Sequence, residues 1–289
     1  MTKEYTNANI NELFDKVESG TLPEDFNHWE LADENGWTVA HEAAKYGRLP
    51  EGFNQWDLAD NDGRTVAHEV AKRRCLPKGF NKWELADKNG WTVAHEATYN
   101  RHLPENFNQW ELADNTGWTV AHEAAKHGTL PKGFTGWDLE DCHGNLVAFV
   151  AMVYEHLPKN FTGWDIVNSN GDTVLHLFAQ HVGSKEDVTF KDLINKIPLK
   201  NIVLQNKKGQ TVLDTFLNAN VNYILNDDST IVDNLNRRKK QLLHIANWAF
   251  THNTLNIILH ALSNPEDKQQ LLSTMHEKLL EKETNEMGL

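Results

Sequence analysis

The sequence predicts an all-α solenoid of short helix-turn-helix repeats, closed by a helical cap at its C-terminal end. Two observations support this prediction. A Leu-Pro pair recurs six times at intervals of 27 residues, from Leu22-Pro23 to Leu157-Pro158, and a glycine recurs in the same register. The first regular unit also contains an alanine-rich segment, which favours helix. A fixed period held over six units is the signature of stacked repeats.

Each unit is predicted to begin with a turn and a helix. In the unit that starts at Asp33, residues 33–36 have Asp and Gly at the two ends of a tight turn. Thr38 follows at a position from which it can cap a helix over residues 39–46. The apolar residues of that helix are mostly alanine, so neighbouring helices can approach one another closely.

A second turn and a second, shorter helix are predicted to complete the unit. Residues 49–52 read Leu-Pro-Glu-Gly, with Pro and Gly where a turn prefers them. Asn54 and Asp57 then have the spacing of a variant capping box, while Phe53 and Leu58 have the spacing of a hydrophobic staple. We therefore expect a helix of one to two turns after each Leu-Pro pair.

The first half of the unit carries a motif that resembles a known repeat family. In the first regular unit the motif reads Asp33-x-x-Gly36-x-Thr38-x-x-His41-x-Ala43-Ala44-x-x-Gly47. It resembles the first half of an ankyrin repeat, and the resemblance covers roughly residues 20–217. The period of 27 residues is shorter than the 33 of that family. The resemblance implies a protein-binding scaffold without catalytic activity, and short arrays of this kind resemble secreted effectors of intracellular bacteria.

Two domains are predicted. The repeat array covers residues 10–217, with residues 10–18 as its N-terminal cap, six regular units and an irregular last unit. Residues 218–289 form a helical region, with helices expected at 230–251, 254–263 and 265–286 after a polar break at 226–229. Two interpretations of this region are open, a cap of the array or a small helical domain with its own function. The basic run at 237–240 is interpreted as an exposed helix face.

The composition argues against several classes of protein. A net charge of −13 disfavours nucleic-acid binding, which needs clustered Lys and Arg. No apolar run approaches 18 residues, so we expect no membrane span, and the N-terminal residues lack the apolar core of a signal peptide. The two cysteines, Cys75 and Cys142, form no disulfide framework. We expect a cytoplasmic protein without a cofactor; the resemblance adds secretion by a bacterium into a host cell.

Histidine recurs at one position of the units. Its occurrences are His41, His68, His95, His122 and His176. The pair His41-Glu42 does not begin a zinc-binding metalloprotease motif, because Lys45 occupies the position of the second histidine that the motif requires. Successive histidines also belong to separate helices. We therefore expect a structural role and no bound metal; in the ankyrin pattern this histidine bonds to the neighbouring unit.

Two further residue types recur in register with the repeat. Tryptophan is present at Trp29, Trp56, Trp83, Trp110, Trp137 and Trp164, although the residue before it changes from unit to unit. Constancy beside variability indicates that this row packs inside the array; the alternative is an aromatic row that binds a ligand. Glutamate is present at Glu42, Glu69, Glu96 and Glu123, and we interpret this row as a solvated helix face.

A third set of positions varies between units, as a binding surface does. It combines the residue after the turn glycine with the residues that follow the helix alanines. We name ten of these residues the variable face: Trp37, Lys45, Tyr46, Arg64, Lys72, Arg73, Trp91, Tyr99, Trp118 and Lys126. Trp, Tyr and Arg are enriched at binding hot spots. Two interpretations are open, partner binding by these side chains or packing of the tryptophans over the adjacent turn.

The sequence therefore favours a non-enzymatic interaction scaffold of the effector type. It would bind another protein through the concave side of its repeats, with the variable face against a partner surface that offers acidic and apolar groups. An acidic antagonist of a basic enzyme or toxin is one alternative. An effector with catalytic activity in the C-terminal helices is another, although that region has no cysteine and no glycine-rich phosphate loop.

Overall fold

A computed structural model describes residues 7–184, 190–219 and 228–287. The α-helices of these residues are α1 (Asn7–Ser19), α2 (Val39–Tyr46), α3 (Val66–Lys72), α4 (Val93–Tyr99), α5 (Val120–His127), α6 (Val147–Val153), α7 (Val174–Gly183), α8 (Phe190–Ile194), α9 (Val212–Asn218), α10 (Asp228–His252), α11 (Leu255–Ala261) and α12 (Pro265–Met287). A 3₁₀ helix spans Leu199–Val203. The described residues contain isolated β-bridges but no extended strand, which confirms the all-α prediction.

The chain forms two compact units, residues 1–156 and 157–289. In the compact unit of residues 1–156, α1 to α6 pack in sequence order, each helix against the next. In the second unit, α7 packs on α9, and α10 packs on α8 and α12. The stacking of successive helices confirms the predicted solenoid, whereas the domain boundary at residues 217 and 218 stays a prediction.

The repeat helices α2 to α5 and α7 start at a threonine and a histidine that cap each other, whereas α6 starts at Leu146 without this cap. Thr38 is extended, and its hydroxyl oxygen accepts a hydrogen bond from the His41 backbone N–H at 3.2 Å. In return, the Thr38 backbone N–H donates to Nδ1 of His41, also at 3.2 Å. Helix α2 ends at Gly47, whose left-handed conformation suits glycine. The predicted helix over residues 39–46 is therefore confirmed at both ends.

The predicted second helix of the unit is wrong. After each Leu-Pro pair the described chain makes two successive turns and no helix. The carbonyls explain this, because Leu58 and Trp56 accept hydrogen bonds from the N–H groups of Val66 and Ala67 at 2.9 and 3.2 Å. These donors belong to the first turn of α3, which has no intrahelical acceptors for them. The segment therefore caps the next helix and does not form one itself.

The turns that precede the helices stack on one another with one hydrogen bond per step. Asn61 N donates to Asn35 O at 2.9 Å, and the same bond recurs in later units. The turn glycine is required at this contact, because Gly36 has a φ of 76° and a methyl group on it would lie 2.7 Å from Asn61 N. This explains the fixed glycine of the repeat by both conformation and space.

The constant tryptophans pack as predicted, in a continuous aromatic ladder. Trp29, Trp56, Trp83 and Trp110 each meet the phenylalanine of their own repeat and that of the next. The Phe80–Trp83 and Trp83–Phe107 centroid distances are 5.0 and 5.6 Å, and both pairs are edge to face. This is a preferred geometry for aromatic pairs. Trp83 is 8% exposed, whereas the other tryptophans of the row are half-buried.

The helices predicted in the C-terminal region are present as α10, α11 and α12. The predicted polar break lies partly outside the described residues, and its last two residues belong to α10. The basic run is not a fully exposed face. Arg238 binds the carboxylate of Asp267, and Arg237 donates to the Ala219 carbonyl at 2.6 Å. No helix in the described ranges is both long enough and apolar enough to cross a membrane.

Candidate functional site

The buried histidines connect neighbouring units of the array. Nδ1 of His68 lies 3.1 Å from the Thr65 N–H and so accepts a hydrogen bond, which leaves the proton on Nε2. Nε2 donates to the carbonyl of Trp91 at 2.9 Å, in the next unit. The equivalent donors and acceptors are His41 and Arg64, His95 and Trp118, and His122 and Asn145. Each histidine therefore fixes the backbone at a variable-face position or its equivalent, which confirms its structural role.

Burial sets the protonation state of these histidines. The side chains are completely buried, and desolvation is the largest effect on the pKa of His41, His68, His95 and His122. It lowers the pKa below the ordinary value, although the hydrogen bond to the next unit opposes the shift. The neutral imidazole also matches its partners, since Nδ1 faces an N–H donor.

Two tryptophans of the variable face are held in place by these histidines and by the glutamate row. The Trp118 ring lies over His122 at a centroid distance of 5.0 Å, and its Nε1 donates to Glu123 at 2.9 Å. Trp37 makes the same contacts, with 4.8 Å to His41 and 2.7 Å to Glu42. Both rings are half-buried. Each ring therefore packs over its turn and still has an accessible part.

The expectation that the glutamate row is a solvated helix face is wrong. Glu42, Glu69, Glu96 and Glu123 are between 2% and 8% exposed. Their carboxylates accept from the tryptophan indoles and from the cations of the variable face. The side chains that cover the row include the Trp37 and Trp118 indoles and the Arg64 guanidinium.

The cations of the variable face are paired with these glutamates. Three lysines reach the glutamate three residues earlier; the distances are 2.9 Å for Lys45–Glu42, 3.7 Å for Lys72–Glu69 and 3.5 Å for Lys126–Glu123. Arg64 instead binds Glu96 of the next unit at 3.1 Å. Four of the five cations of the variable face are therefore paired with glutamates, and its aromatic rings are its more distinctive feature.

The remaining candidate residues divide into packed and exposed ones. Tyr46 packs against the cluster formed by α1 and α2, and the ammonium of Lys45 lies 4.9 Å from its ring centroid. Arg73 is exposed, and its guanidinium donates a hydrogen bond to the Lys45 carbonyl. Tyr99 is 56% exposed and meets His127 edge to face at 5.5 Å.

An open groove of about 630 Å³ brings four of the candidates together. Its lining includes Trp91, Tyr99, Trp118 and Lys126 from the variable face. It also includes residues that the sequence analysis missed: Glu96, Asp114, Thr116, Glu123, Asp141, His143 and Asn145. The sequence analysis interprets the turn aspartates only as turn-forming residues. Their fixed position in the repeat, however, also places them beside the variable tryptophans.

The groove offers aromatic faces and hydrogen-bonding groups. Its carboxylates are committed to structural bonds. Oδ1 of Asp114 accepts from the Trp118 N–H at 3.0 Å, and Oδ2 of Asp141 accepts from the Asn145 amide at 2.8 Å. Among the described residues no cluster of three His, Cys, Asp or Glu side chains is placed to hold a metal ion. The arrangement suits non-covalent binding.

Comparison with known proteins gives likenesses among solved structures only. No protein-family model matches the sequence, and no curated protein matches it. Among solved structures, the chain is similar to the ankyrin repeat domain of Bcl-3, a member of the IkappaB protein family, at 14% sequence identity. The match covers 80% of this chain and 93% of that chain, with a TM-score of 0.36.

Proposed function

We propose that the protein is a protein-binding scaffold whose partner docks on the variable face. The observation that carries this proposal is the contrast between a constant framework and variable side chains set on it. The same threonine, histidine and turn bonds recur in units one to four, while the residue held by each histidine changes from Arg64 to Trp91 to Trp118. A framework that holds different side chains in register suits recognition.

Preorganisation supports this function. Trp118 is fixed by a ring contact and a hydrogen bond to a buried carboxylate, so little side-chain freedom remains to be lost when a partner binds. Tryptophans with an accessible face also dominate many interfaces. The groove between Trp91 and Trp118 is wide enough for an apolar side chain of a partner.

The chemistry of the partner is the finer part of the proposal. A partner surface with apolar and acidic groups, as the sequence suggests, would use the aromatic rings first. The lysines are already paired with buried glutamates, so their attraction for a partner carboxylate is reduced. The −13 net charge also leaves room for a basic target, which is the antagonist version of the same function.

The effector version concerns where the scaffold acts. It depends on the resemblance of the array to secreted effectors. This resemblance adds a delivery route to the scaffold and does not change its binding face.

The experiment that tests the function is affinity capture with two chains. The wild type is compared with a variant that carries Trp91→Asn and Trp118→Asn, because Asn145 occupies the same position in the fifth unit and fits the same turn. Proteins identified by mass spectrometry that are retained by the wild type and lost with the variant are the expected result. Equal retention of every captured protein by both chains would refute the proposed face.

A further inference from the structure

A pocket of about 430 Å³ opens between the first two regular units, away from the variable face. None of the ten variable-face residues lines it. Its walls are apolar side chains and the end of helix α2: Ala44, Gly47, Leu49, Phe53, Trp56 and Val70. The volume falls in the range of small-molecule sites.

The pocket exists because one unit lacks a side chain that other units supply. Gly128 lies three periods after Gly47 and has the same left-handed conformation, with φ values of 68° and 67°. The ring of His156 covers Gly128, so that a methyl group placed there would meet Cδ2 at 2.8 Å. Above Gly47 there is no atom within 4 Å of such a methyl group, because Cys75 stands where His156 does.

A second position in the array shows the same kind of cover. Gly20 lies one period before Gly47 and is also left-handed, with a φ of 72°. The guanidinium of Arg48, one period before Cys75, lies directly over it. A planar nitrogen-containing group therefore covers this glycine in two units, whereas the unit with Cys75 leaves the space open.

The hydrogen bond made by His156 defines what the open space would accept. Nδ1 of His156 donates to the carbonyl of Ala125 at 2.9 Å, and that carbonyl corresponds to the carbonyl of Ala44 at the pocket. The thiol of Cys75 is directed instead at the Arg73 carbonyl, 3.2 Å away. The Ala44 carbonyl therefore lacks the ring donor that its counterpart has.

The remaining walls favour a neutral, flat ligand. Trp56 meets Phe53 and Phe80 edge to face, at centroid distances of 5.1 and 5.8 Å, and these rings form the aromatic side of the pocket. The charged residues of the lining, Glu51 and Lys78, have opposite signs. Neither a cation nor an anion is favoured by this balance.

We propose that the Gly47 pocket binds a planar aromatic heterocycle with an N–H donor, of indole or imidazole type, which takes the place of the missing His156-like ring. The N–H donates to the Ala44 carbonyl, and the ring lies between Gly47 and the aromatic wall. The ligand comes either as a small molecule or as a histidine or tryptophan side chain of a peptide. No covalent step is involved.

The test uses the full chain and titrates indole by calorimetry. The wild type is expected to bind one indole saturably, with a dissociation constant in the range of about 0.1–1 mM. 1-Methylindole has the same ring but no N–H, and is expected to bind roughly fivefold more weakly. A histidine-containing and a tryptophan-containing peptide form the second arm, which distinguishes a side chain from a free small molecule as the source.

Two variants close the pocket with the chain's own side chains. Cys75→His copies His156 and Cys75→Arg copies Arg48, and each is expected to weaken indole binding by at least about tenfold. Cys75→Ser is the matched control and should bind as the wild type does, within about twofold. Circular dichroism of each variant verifies folding, so that either filling variant can carry the test.

Three outcomes would overturn the proposal. The first is no saturable binding of indole by the wild type. The second is unchanged binding by a folded filling variant, which would place the ligand elsewhere. The third is loss of fold in both filling variants, because a pocket that admits a ring must also admit these side chains.

Discussion

Mild acid is expected to unfold the array through its buried histidines. His41, His68, His95 and His122 are fully buried and neutral, and Nδ1 of each lies beside a backbone N–H. A second proton on such a ring would charge a desolvated group and place a donor against a donor. The folded chain therefore resists protonation, whereas the unfolded chain does not.

The sign and size of the effect follow from the lowered pKa of each histidine. The unfolded chain binds more protons than the folded chain below about pH 6.5, so the free energy of unfolding is highest above that pH and falls as the pH falls. At pH 5.5 each histidine that stays neutral in the fold costs about 1.4 kcal/mol. Four of them reach an upper limit of roughly 5–6 kcal/mol, comparable with the whole stability of many domains.

The assay is urea unfolding followed by circular dichroism at pH 7.5, 6.5 and 5.5. The chain supplies a control, because the fifth unit has Leu146 and Phe149 where the fourth has Thr119 and His122. The double variant Thr119→Leu, His122→Phe removes one of five fully buried histidines with a lowered pKa, counting His176, and should therefore lose about a fifth of the pH dependence. The reasoning is refuted if the free energy of unfolding is the same at pH 7.5 and 5.5, or if the double variant keeps the full dependence.

Two further predictions concern packing. Trp83→Ala removes the most buried ring of the aromatic ladder and should lower the free energy of unfolding by about 3–5 kcal/mol; a loss below about 1 kcal/mol in urea unfolding would show that the ladder contributes little. Gly90→Ala and Gly79→Ala impose the same strain of positive φ, but a methyl group on Gly90 would lie 2.6 Å from Asn115 N and one on Gly79 meets no atom within 4 Å. Gly90→Ala should therefore be the more destabilising by about 1–3 kcal/mol, and equal losses would contradict the close stacking of the turns.

The first half of each repeat could be predicted from the sequence because its determinants are local. A threonine caps the start of the helix, an alanine-rich segment forms it and a glycine ends it, all within about three turns of chain. The position of Gly47 and the cap at Thr38 both agree with the structure. The role of His41 was also predictable, since its spacing excluded a metal motif and the family pattern assigned it to the next unit.

The second half could not be predicted locally because its partners are distant in sequence. The spacing of Asn54 and Asp57 is that of a capping box, but the carbonyls of Trp56 and Leu58 bond to the start of α3. The burial of the glutamate row has the same origin. Glu96 is covered partly by Arg64, whose position in another unit no local pattern reveals.

The binding face is tested most directly by the affinity of a captured partner for the double variant Trp91→Asn, Trp118→Asn. We predict that its dissociation constant rises at least about 30-fold, equivalent to about 2 kcal/mol, while the free energy of unfolding changes little. A control variant at exposed Lys132 and Glu105, outside the variable face, should bind as the wild type does. Unchanged affinity of the folded tryptophan variant would contradict the proposal and direct attention to the C-terminal helices.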